Sequence, residues 1–157
     1  MEELIELKKI AFIICIAVLV TAAVLICIVP SIDTFSCTMD AVSVIDDKLS
    51  NESYPIKLNG TVCKYLVQDD KLKLSLELPA GKLIKVEAAL LTMSEDIKYA
   101  AGLYYDSTSN VYKTITILCD RDYTQFLIQY SNGTEVIVAK SDSTVDFQEI
   151  YYQLSLK

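Results

Sequence analysis

Residues that could carry acid–base or nucleophilic chemistry are few in this chain of 157 residues, which contains no histidine. Histidine is the commonest general base at neutral pH and the commonest metal ligand, so its absence excludes Ser-His and Cys-His nucleophilic pairs. A zinc ion would need an all-cysteine or carboxylate site, and none of the five cysteines forms a C-x-x-C pair. We therefore predict no catalytic residue, no metal site and no cofactor. An envelope hydrolase with a Ser-Lys pair or two converging carboxylates is the remote alternative.

Neighbouring carboxylates are the other residues with catalytic potential. Two acidic side chains side by side suit general acid–base catalysis or calcium binding, but aspartate is also favoured in turns because its side chain bonds the nearby backbone. Three of the four pairs fall where the strand pattern breaks, so we interpret those three as turn residues. The pairs are Asp46-Asp47, which lies outside a predicted turn, Asp69-Asp70, Glu95-Asp96 and Asp120 with Asp122.

Three cysteines, Cys37, Cys63 and Cys119, follow the long apolar run near the N-terminus. Outside the cytoplasm such thiols are open to oxidation. Cys63 and Cys119 both fall on strand positions that we assign to the inward face, so they either form a disulfide or remain reduced in the core. Cys37 is then the odd cysteine, and we expect it to be free or to pair with another chain.

Three asparagines, Asn51, Asn59 and Asn132, begin sequences of the glycan-acceptor type N-x-S/T. In a eukaryotic or viral secretory protein all three are candidate glycosylation sites. Asn59-Gly60 and Asn132-Gly133 are also strong signals for two-residue hairpin turns, because both residue types tolerate a positive φ. We favour the turn interpretation at these two positions.

Tyrosine is the enriched aromatic residue, with ten in the chain and no tryptophan. It offers a large rigid contact surface with a polar tip and is common at recognition sites, although it is also a frequent strand residue. We predict a binding surface in the second half of the chain. Its candidate residues are Tyr104, Tyr105, Tyr112, Tyr130, Tyr151 and Tyr152.

The elements that position these residues begin with an apolar run at residues 10–29. The run contains no charged side chain, glycine or proline. As a helix it spans roughly 30 Å, the thickness of the hydrocarbon core. We predict a permanent transmembrane signal anchor, because the run exceeds the ~7–15 apolar residues of a cleaved signal peptide, which is the alternative. Lys8 and Lys9 precede the run, so the positive-inside rule places residues 1–9 in the cytoplasm and the remainder outside.

The segment after the anchor, residues 30–53, is predicted to be juxtamembrane, with a short helix over 38–49 or, alternatively, a disordered stalk. Apolar residues recur there at helical spacing. These residues are Met39, Val42, Ile45 and Leu49.

Residues 54–157 are predicted to form an extracytoplasmic β domain, because the apolar pattern changes to period two. Leucine alternates with polar residues over 71–78, and a helix capped by Ser143 follows at 143–154. No connection is long enough for a parallel crossover. We therefore predict a mainly β fold with short helices: one N-terminal transmembrane helix, then a curved or barrel-like antiparallel meander of about seven or eight strands and a C-terminal helix.

The tether, the short cytoplasmic tail and the missing catalytic residues favour a single-pass membrane-anchored binding or assembly module without catalytic activity. Its expected partners are the lipid bilayer and another membrane or envelope protein. Residues 30–157 carry 12 basic and 18 acidic residues, so we expect no nucleic-acid partner.

The alternative function is a tethered lipid- or small-molecule-binding domain. A meander of eight strands followed by a helix resembles in outline the lipocalin-like barrels, and this resemblance implies an apolar ligand inside the barrel. The Gly-x-Trp signature of those proteins is absent, because the chain has no tryptophan.

Overall fold

A computed structural model describes residues 2–79, 82–106, 109–130 and 135–155. Strands dominate the fold, with one helix before them and one after. In chain order the elements are α1 (Glu2–Ile28), β1 (Ser31–Ile45), β2 (Lys48–Leu49), β3 (Tyr54–Lys64), β4 (Asp70–Glu77), β5 (Leu83–Thr92), β6 (Ile97–Asp106), β7 (Val111–Asp120), β8 (Gln125–Tyr130), β9 (Glu135–Lys140) and α2 (Phe147–Ser155).

Within the described residues, eight strands form a closed antiparallel barrel in the order β1-β3-β4-β5-β6-β7-β8-β9. β1 closes it by pairing with two neighbours: residues 31–41 pair with β3, and residues 40–45 pair with β9. The two-residue strand β2 folds back on the end of β1. The predicted mainly β fold, with a barrel-like antiparallel meander and a C-terminal helix, is confirmed.

The two ends of the barrel are distinguished by α1. Only Val29 and Pro30 separate α1 from β1, so one end of the barrel lies next to the helix. We name it the α1 end, and it also carries the β3–β4, β5–β6 and β7–β8 connections. The opposite end, named the distal end, carries the β4–β5, β6–β7 and β8–β9 connections.

Side chains fill the interior of the barrel, because every second residue of each strand points inward. The three leucines of β4 at positions 72, 74 and 76 are buried, as the alternation over residues 71–78 predicted. The interior core consists mainly of aliphatic residues from all eight strands, with Phe126 as its largest fully buried side chain.

A second apolar layer lies on the outer wall beneath α2. Ile150 and Leu154 of α2 are buried against Val42, Leu127 and Val138, which face outward from β1, β8 and β9. The strands under α2 are therefore buried on both faces.

The C-terminal helix begins later than predicted, at Phe147 rather than residue 143. Asp146 is its cap, since Asp146 Oδ1 accepts a hydrogen bond from the backbone N–H of Gln148 at 2.9 Å. The predicted cap, Ser143, lies in the connection before it.

The helix predicted over 38–49 is wrong, because β1 continues to Ile45 and pairs with β3 and β9. Burial on both faces explains the error. Met39 and Ala41 face the interior while Val42 and Val44 face α2, so the alternation is lost and the apolar spacing imitates a helix. The predicted start of the β domain at residue 54 therefore moves back to Ser31.

The hairpin predicted at Asn59-Gly60 is also wrong, because β3 runs unbroken from Tyr54 to Lys64. Gly60 lies opposite Phe35 of β1, and a Cβ on Gly60 would come within 2.0 Å of Phe35 Cζ. Close approach of the ring, and not a turn, requires glycine here. The turn predicted at Asn132-Gly133 lies outside the described residues, although β8 and β9 do pair as predicted.

α1 exposes its apolar side chains. Among the described residues, one helix, Lys8–Ile28, is long and apolar enough to cross a membrane, with a mean hydropathy of 3.2. Its surface does not pack on the barrel and would be unfavourable in water. This helix agrees with the apolar run predicted at residues 10–29.

Candidate functional site: a tyrosine-lined cup at the distal end

A cup of about 580 Å³ opens at the distal end of the barrel. Its volume lies within the ~300–1,000 Å³ of sites that bind small molecules. We name it the tyrosine cup, and the residues that line it are Ser43, Tyr54, Leu78, Pro79, Lys82, Tyr104, Lys113, Tyr130, Glu135 and Ile137.

Strand alternation places the three cup tyrosines. Tyr54, Tyr104 and Tyr130 occupy inward positions at the distal ends of β3, β6 and β8, and each packs with the interior core. An apolar ring with a polar tip suits a position where the core meets solvent.

The rings of Tyr104 and Tyr130 form one wall of the cup. Their centroids are 5.6 Å apart in an edge-to-face arrangement, and Lys82 Nζ lies 5.8 Å from the centre of the Tyr130 ring. The hydroxyl of Tyr130 is buried and has no hydrogen-bond partner among the described atoms. It lies just below the surface of the cup, so a ligand that displaced a neighbouring side chain would find an unused hydrogen-bond donor there.

A chain of hydrogen bonds forms another part of the wall. Ser43 Oγ donates to Glu135 Oε1 at 2.8 Å. Because that bond uses the only hydroxyl proton of Ser43, Tyr54 is the donor in the 2.9 Å bond between its hydroxyl and Ser43 Oγ. The three side chains are thereby held in fixed orientations.

A partly buried ion pair supports the rim formed by β6 and β7. Lys113 Nζ contacts Asp106 Oδ2, which also accepts a 2.9 Å hydrogen bond from Ser109 Oγ. The hydrogen bond to Asp106 raises the pKa of Lys113, so this lysine stays charged. In and beside the cup, the positive charges of Lys82 and Lys113 are balanced by the negative charges of Glu135 and Asp106. This balance suits a neutral or zwitterionic ligand group.

Burial moves the pKa values of the cup tyrosines further above neutral pH, at which a tyrosine is protonated in any case. It is the main cause that raises the pKa of Tyr54, Tyr104 and Tyr130. Nearby negative charge adds to the effect: Glu135 raises the pKa of Tyr54 and Tyr130, and Asp106 that of Tyr104. All three hydroxyls are thus hydrogen-bond donors and not bases.

Aromatic rings cover the opposite end of the interior. At the α1 end the Phe35 ring stacks on Tyr123 with centroids 4.9 Å apart, and it packs against Phe126 at 6.1 Å. Lys98 Nζ donates a 2.6 Å hydrogen bond to the Tyr123 hydroxyl. The barrel therefore has one end packed with rings and one end that opens into the cup.

The six tyrosines of the predicted binding surface do not meet at one place. Tyr104 and Tyr130 line the cup. Tyr105 and Tyr112 lie opposite each other on the outer face of β6 and β7, with ring centroids 5.3 Å apart and both rings exposed.

The third tyrosine pair lies on α2. Tyr151 and Tyr152 have ring centroids 5.9 Å apart, and the Tyr151 hydroxyl donates a 2.6 Å hydrogen bond to Asp47 Oδ1. This bond links α2 to the β1–β2 turn, so Tyr151 has a structural role.

Several cup residues were missed by the sequence analysis. Tyr54 lies on the same strand face as Ile56 and Leu58, and Glu135 lies on the same face as Ile137. Strand alternation could therefore have identified both residues. Ser43 was hidden by the helix predicted over 38–49. Lys82 and Lys113 carry no distinguishing pattern.

The structure does not pair the cysteines. All five are free thiols, and Cys63 faces outward next to the buried Val62, while Cys119 is fully buried inside the barrel. Of the two alternatives for Cys63 and Cys119, the structure has the reduced thiols, and the inward position that we assigned to Cys63 is wrong, because the register of β3 puts this residue on the outer face. Burial raises the pKa of Cys119 to about 12 and also raises that of Cys37. The pairing of Cys37 with another chain stays a prediction.

The glycan-acceptor asparagines lie apart. Asn51 is exposed in the β2–β3 connection. Asn59 is exposed on β3, where its Oδ1 accepts a 2.6 Å hydrogen bond from Ser36 Oγ. Asn132 lies outside the described residues, and glycosylation of all three stays a prediction.

Of the carboxylates that we assigned to turns, Asp70 and Asp120 bond the backbone there. Asp120 Oδ1 accepts hydrogen bonds from the N–H groups of Thr124 and Gln125, at 2.7 and 2.9 Å. Asp46 and Asp47, predicted within a helix, form the β1–β2 turn with φ of 51° and 60°. In the part of the chain that the structure describes, no three cysteine or acidic side chains are grouped as metal ligands.

Comparison of the chain with known protein families, with curated protein sequences and with solved structures gave no match. Function is therefore inferred from the barrel, the tyrosine cup and α1.

Proposed function

We propose that this chain is a single-pass membrane protein without catalytic activity, which holds a β-barrel outside the cytoplasm and binds another membrane or envelope protein at the distal end. The position of the tyrosine cup carries the proposal, because the cup opens at the end of the barrel opposite α1. With α1 in the bilayer and Lys8 and Lys9 in the cytoplasm, the cup faces away from the membrane.

The outer wall beside the cup supports a protein partner. Tyr105 and Tyr112 are exposed there together with Leu103 and Val111. Exposed aromatic and aliphatic side chains next to a concave site are typical of protein-binding surfaces, where tyrosine often contributes much of the affinity. A partner segment that covers this wall and inserts one side chain into the cup would use both features.

The chemistry of the cup supports binding more than catalysis. The pKa values of its tyrosines are raised by burial, Lys113 is paired with Asp106, and Glu135 is bonded to Ser43. These groups are held as fixed donors and acceptors, whereas a general base needs a pKa close to the working pH.

A tethered small-molecule-binding protein is the second candidate, and the volume of the cup and the unpartnered Tyr130 hydroxyl favour it. Side chains fill the barrel interior, so the ligand would occupy the cup and not the interior site that the lipocalin-like resemblance implied.

Site-specific photocrosslinking in native membranes tests the proposal. A photoreactive residue at Tyr112, on the wall beside the cup, is expected to capture a discrete protein, and Tyr104→Ala is expected to reduce that capture. The matched control is Lys73, which is exposed on the outer wall of β4 away from the cup. Equal capture at both positions, or none at Tyr112, would argue against a protein partner.

The small-molecule candidate is tested on the same membranes. Native mass spectrometry of the purified full chain would show a bound compound that Tyr104→Ala releases. If a compound is found while Tyr112 captures no protein, the second candidate replaces the first.

A further inference from the structure

We infer that the barrel itself touches the lipid bilayer, through the β3–β4 turn at the α1 end. This inference rests on the membrane anchorage proposed for α1 and adds a second contact with the same bilayer. The turn comprises residues 65–69, and we name it the lipid turn.

The tip of the lipid turn is unusually exposed and apolar. Leu66 and Val67 are 72% and 71% exposed, which is more than Leu19 in the middle of α1, at 69%. Single exposed aliphatic residues are ordinary, but two adjacent ones at the tip of a turn have no packing role in the barrel. Nearby on β1, Ile32 is also exposed.

The location of the lipid turn identifies its partner as lipid. A crevice of about 670 Å³ separates the turn from the end of α1, and its lining includes Leu66 together with Leu25, Ile26 and Val29. Leu25 and Ile26 belong to the apolar run that fills the hydrocarbon core. Leu66 therefore lies at the depth of the last turn of α1, at the edge of the hydrocarbon core.

The chain leaves the barrel little freedom to move away from the bilayer. Only Val29 and Pro30 connect α1 to β1, and proline restricts the backbone at the second of these positions. Two residues span at most about 7 Å, so the start of β1, at the α1 end of the barrel, stays close to the point where α1 leaves the hydrocarbon core.

The residues beside the tip suit the headgroup region. Tyr65 opens the turn, and Lys71 Nζ lies 6.0 Å from the centre of its ring. Tyrosine and lysine are favoured at membrane interfaces, where their apolar parts lie deeper than their polar tips. Lys64 is paired with Asp33 at 2.5 Å, so the turn presents no excess of positive charge and a zwitterionic lipid is sufficient.

Tryptophan fluorescence in full-length protein tests the inference, because the chain has no tryptophan of its own. The variants Leu66→Trp, Val20→Trp and Tyr112→Trp are reconstituted singly in bilayers of phosphatidylcholine with brominated or ordinary acyl chains. Bromine quenches tryptophan only at short range. We expect Leu66→Trp and Val20→Trp to lose most of their fluorescence in the brominated bilayer and Tyr112→Trp, at the distal end, to lose none.

The possible outcomes separate the two proposals. If Val20→Trp is quenched and Leu66→Trp is not, the anchor stands and the lipid turn is refuted. If Val20→Trp is not quenched either, both fail. Val67→Trp repeats the test should Leu66→Trp misfold, as judged by circular dichroism. If the emission of Leu66→Trp changes with the protein-to-lipid ratio but not with bromination, the turn contacts another copy of the chain and not lipid.

Discussion

Single residues determine how the two ends of the barrel differ. At the α1 end, Gly60 lets the Phe35 ring lie across β3 and stack on Tyr123. At the distal end, Tyr104 and Tyr130 line an open cup, and the Tyr130 hydroxyl has no partner among the described atoms. A ring covers the core at one end, and tyrosine side chains line an open cup at the other.

Replacing Gly60 by alanine is expected to lower the free energy of unfolding by about 1–3 kcal/mol, the usual cost of overpacking. The added Cβ would lie 2.0 Å from the Phe35 ring, which Tyr123 and Phe126 hold in place. Denaturant unfolding of the full chain in micelles measures the loss. In a Phe35→Leu background the same substitution should cost less, and an equal cost in both backgrounds would show that the ring does not require glycine.

The Cys119 thiol is expected to make stability depend on alkaline pH. Burial raises its pKa from 9.0 to about 12 in the folded chain, so the unfolded chain releases this proton first. The contribution of this thiol to the free energy of unfolding is complete below pH 9 and decreases between pH 9 and 12, with a slope of up to about 1.4 kcal/mol per pH unit. Unfolding measured from pH 8 to pH 11 should show a flatter decline for Cys119→Ala than for the parent or for Cys63→Ala. Parallel curves would contradict the assignment.

The Tyr130 hydroxyl is expected to matter for binding and not for folding. Because it is buried and has no partner among the described atoms, Tyr130→Phe loses no hydrogen bond and removes a desolvation penalty, so it should leave the free energy of unfolding unchanged or raise it by about 1 kcal/mol. The same variant should reduce the yield of the crosslinked partner at Tyr112. A large loss of stability without an effect on capture would place the hydroxyl in the fold and not in the site.

At the scale of elements, strands buried on one face were predictable and strands buried on both were not. In β4 the alternation of leucine with polar residues gave the strand and its buried face. In β1, residues 39–44 lie between the interior core and α2, so their sequence lacks that alternation. Two further errors concern β3. Gly60 is required by its contact with the Phe35 ring, which the local sequence does not reveal, and Cys63 was assigned to the inward face although Val62 occupies that face.

α2 is expected to stabilise the barrel by covering its outer wall. Ile150→Ala should lower the free energy of unfolding by about 2–5 kcal/mol, since this fully buried side chain packs on β1, β8 and β9. Asp146→Ala should cost about 1 kcal/mol through the lost cap. Gln148→Ala, at an exposed position, is the control. Comparable values for Ile150→Ala and Gln148→Ala would mean that α2 is not part of the folded unit.

At the scale of the whole molecule, the strand count, the antiparallel order and the barrel-like curvature were predictable, but the pairing of β1 with β9 that closes the barrel, and the cup, were not. Eight strands were expected from residue 54, whereas the barrel gains β1 and has one strand where a hairpin was predicted at Asn59-Gly60. Closure depends on β1 pairing with β9, a contact between residues about 95 positions apart. The cup exists only after closure brings Ser43 to Glu135 and Tyr104 to Tyr130.

The central claim is that the chain crosses the membrane once and presents the distal end outside the cytoplasm. Labelling with a membrane-impermeant maleimide tests it most directly, in a chain whose Cys37 and Cys63 are replaced by serine. Cys119 is buried, and Cys15 and Cys27 lie in the apolar helix. Tyr112→Cys should label on intact cells, and Glu6→Cys only after permeabilisation. Labelling of Glu6→Cys on intact cells, with Tyr112→Cys protected until the membrane is opened, would contradict the claim.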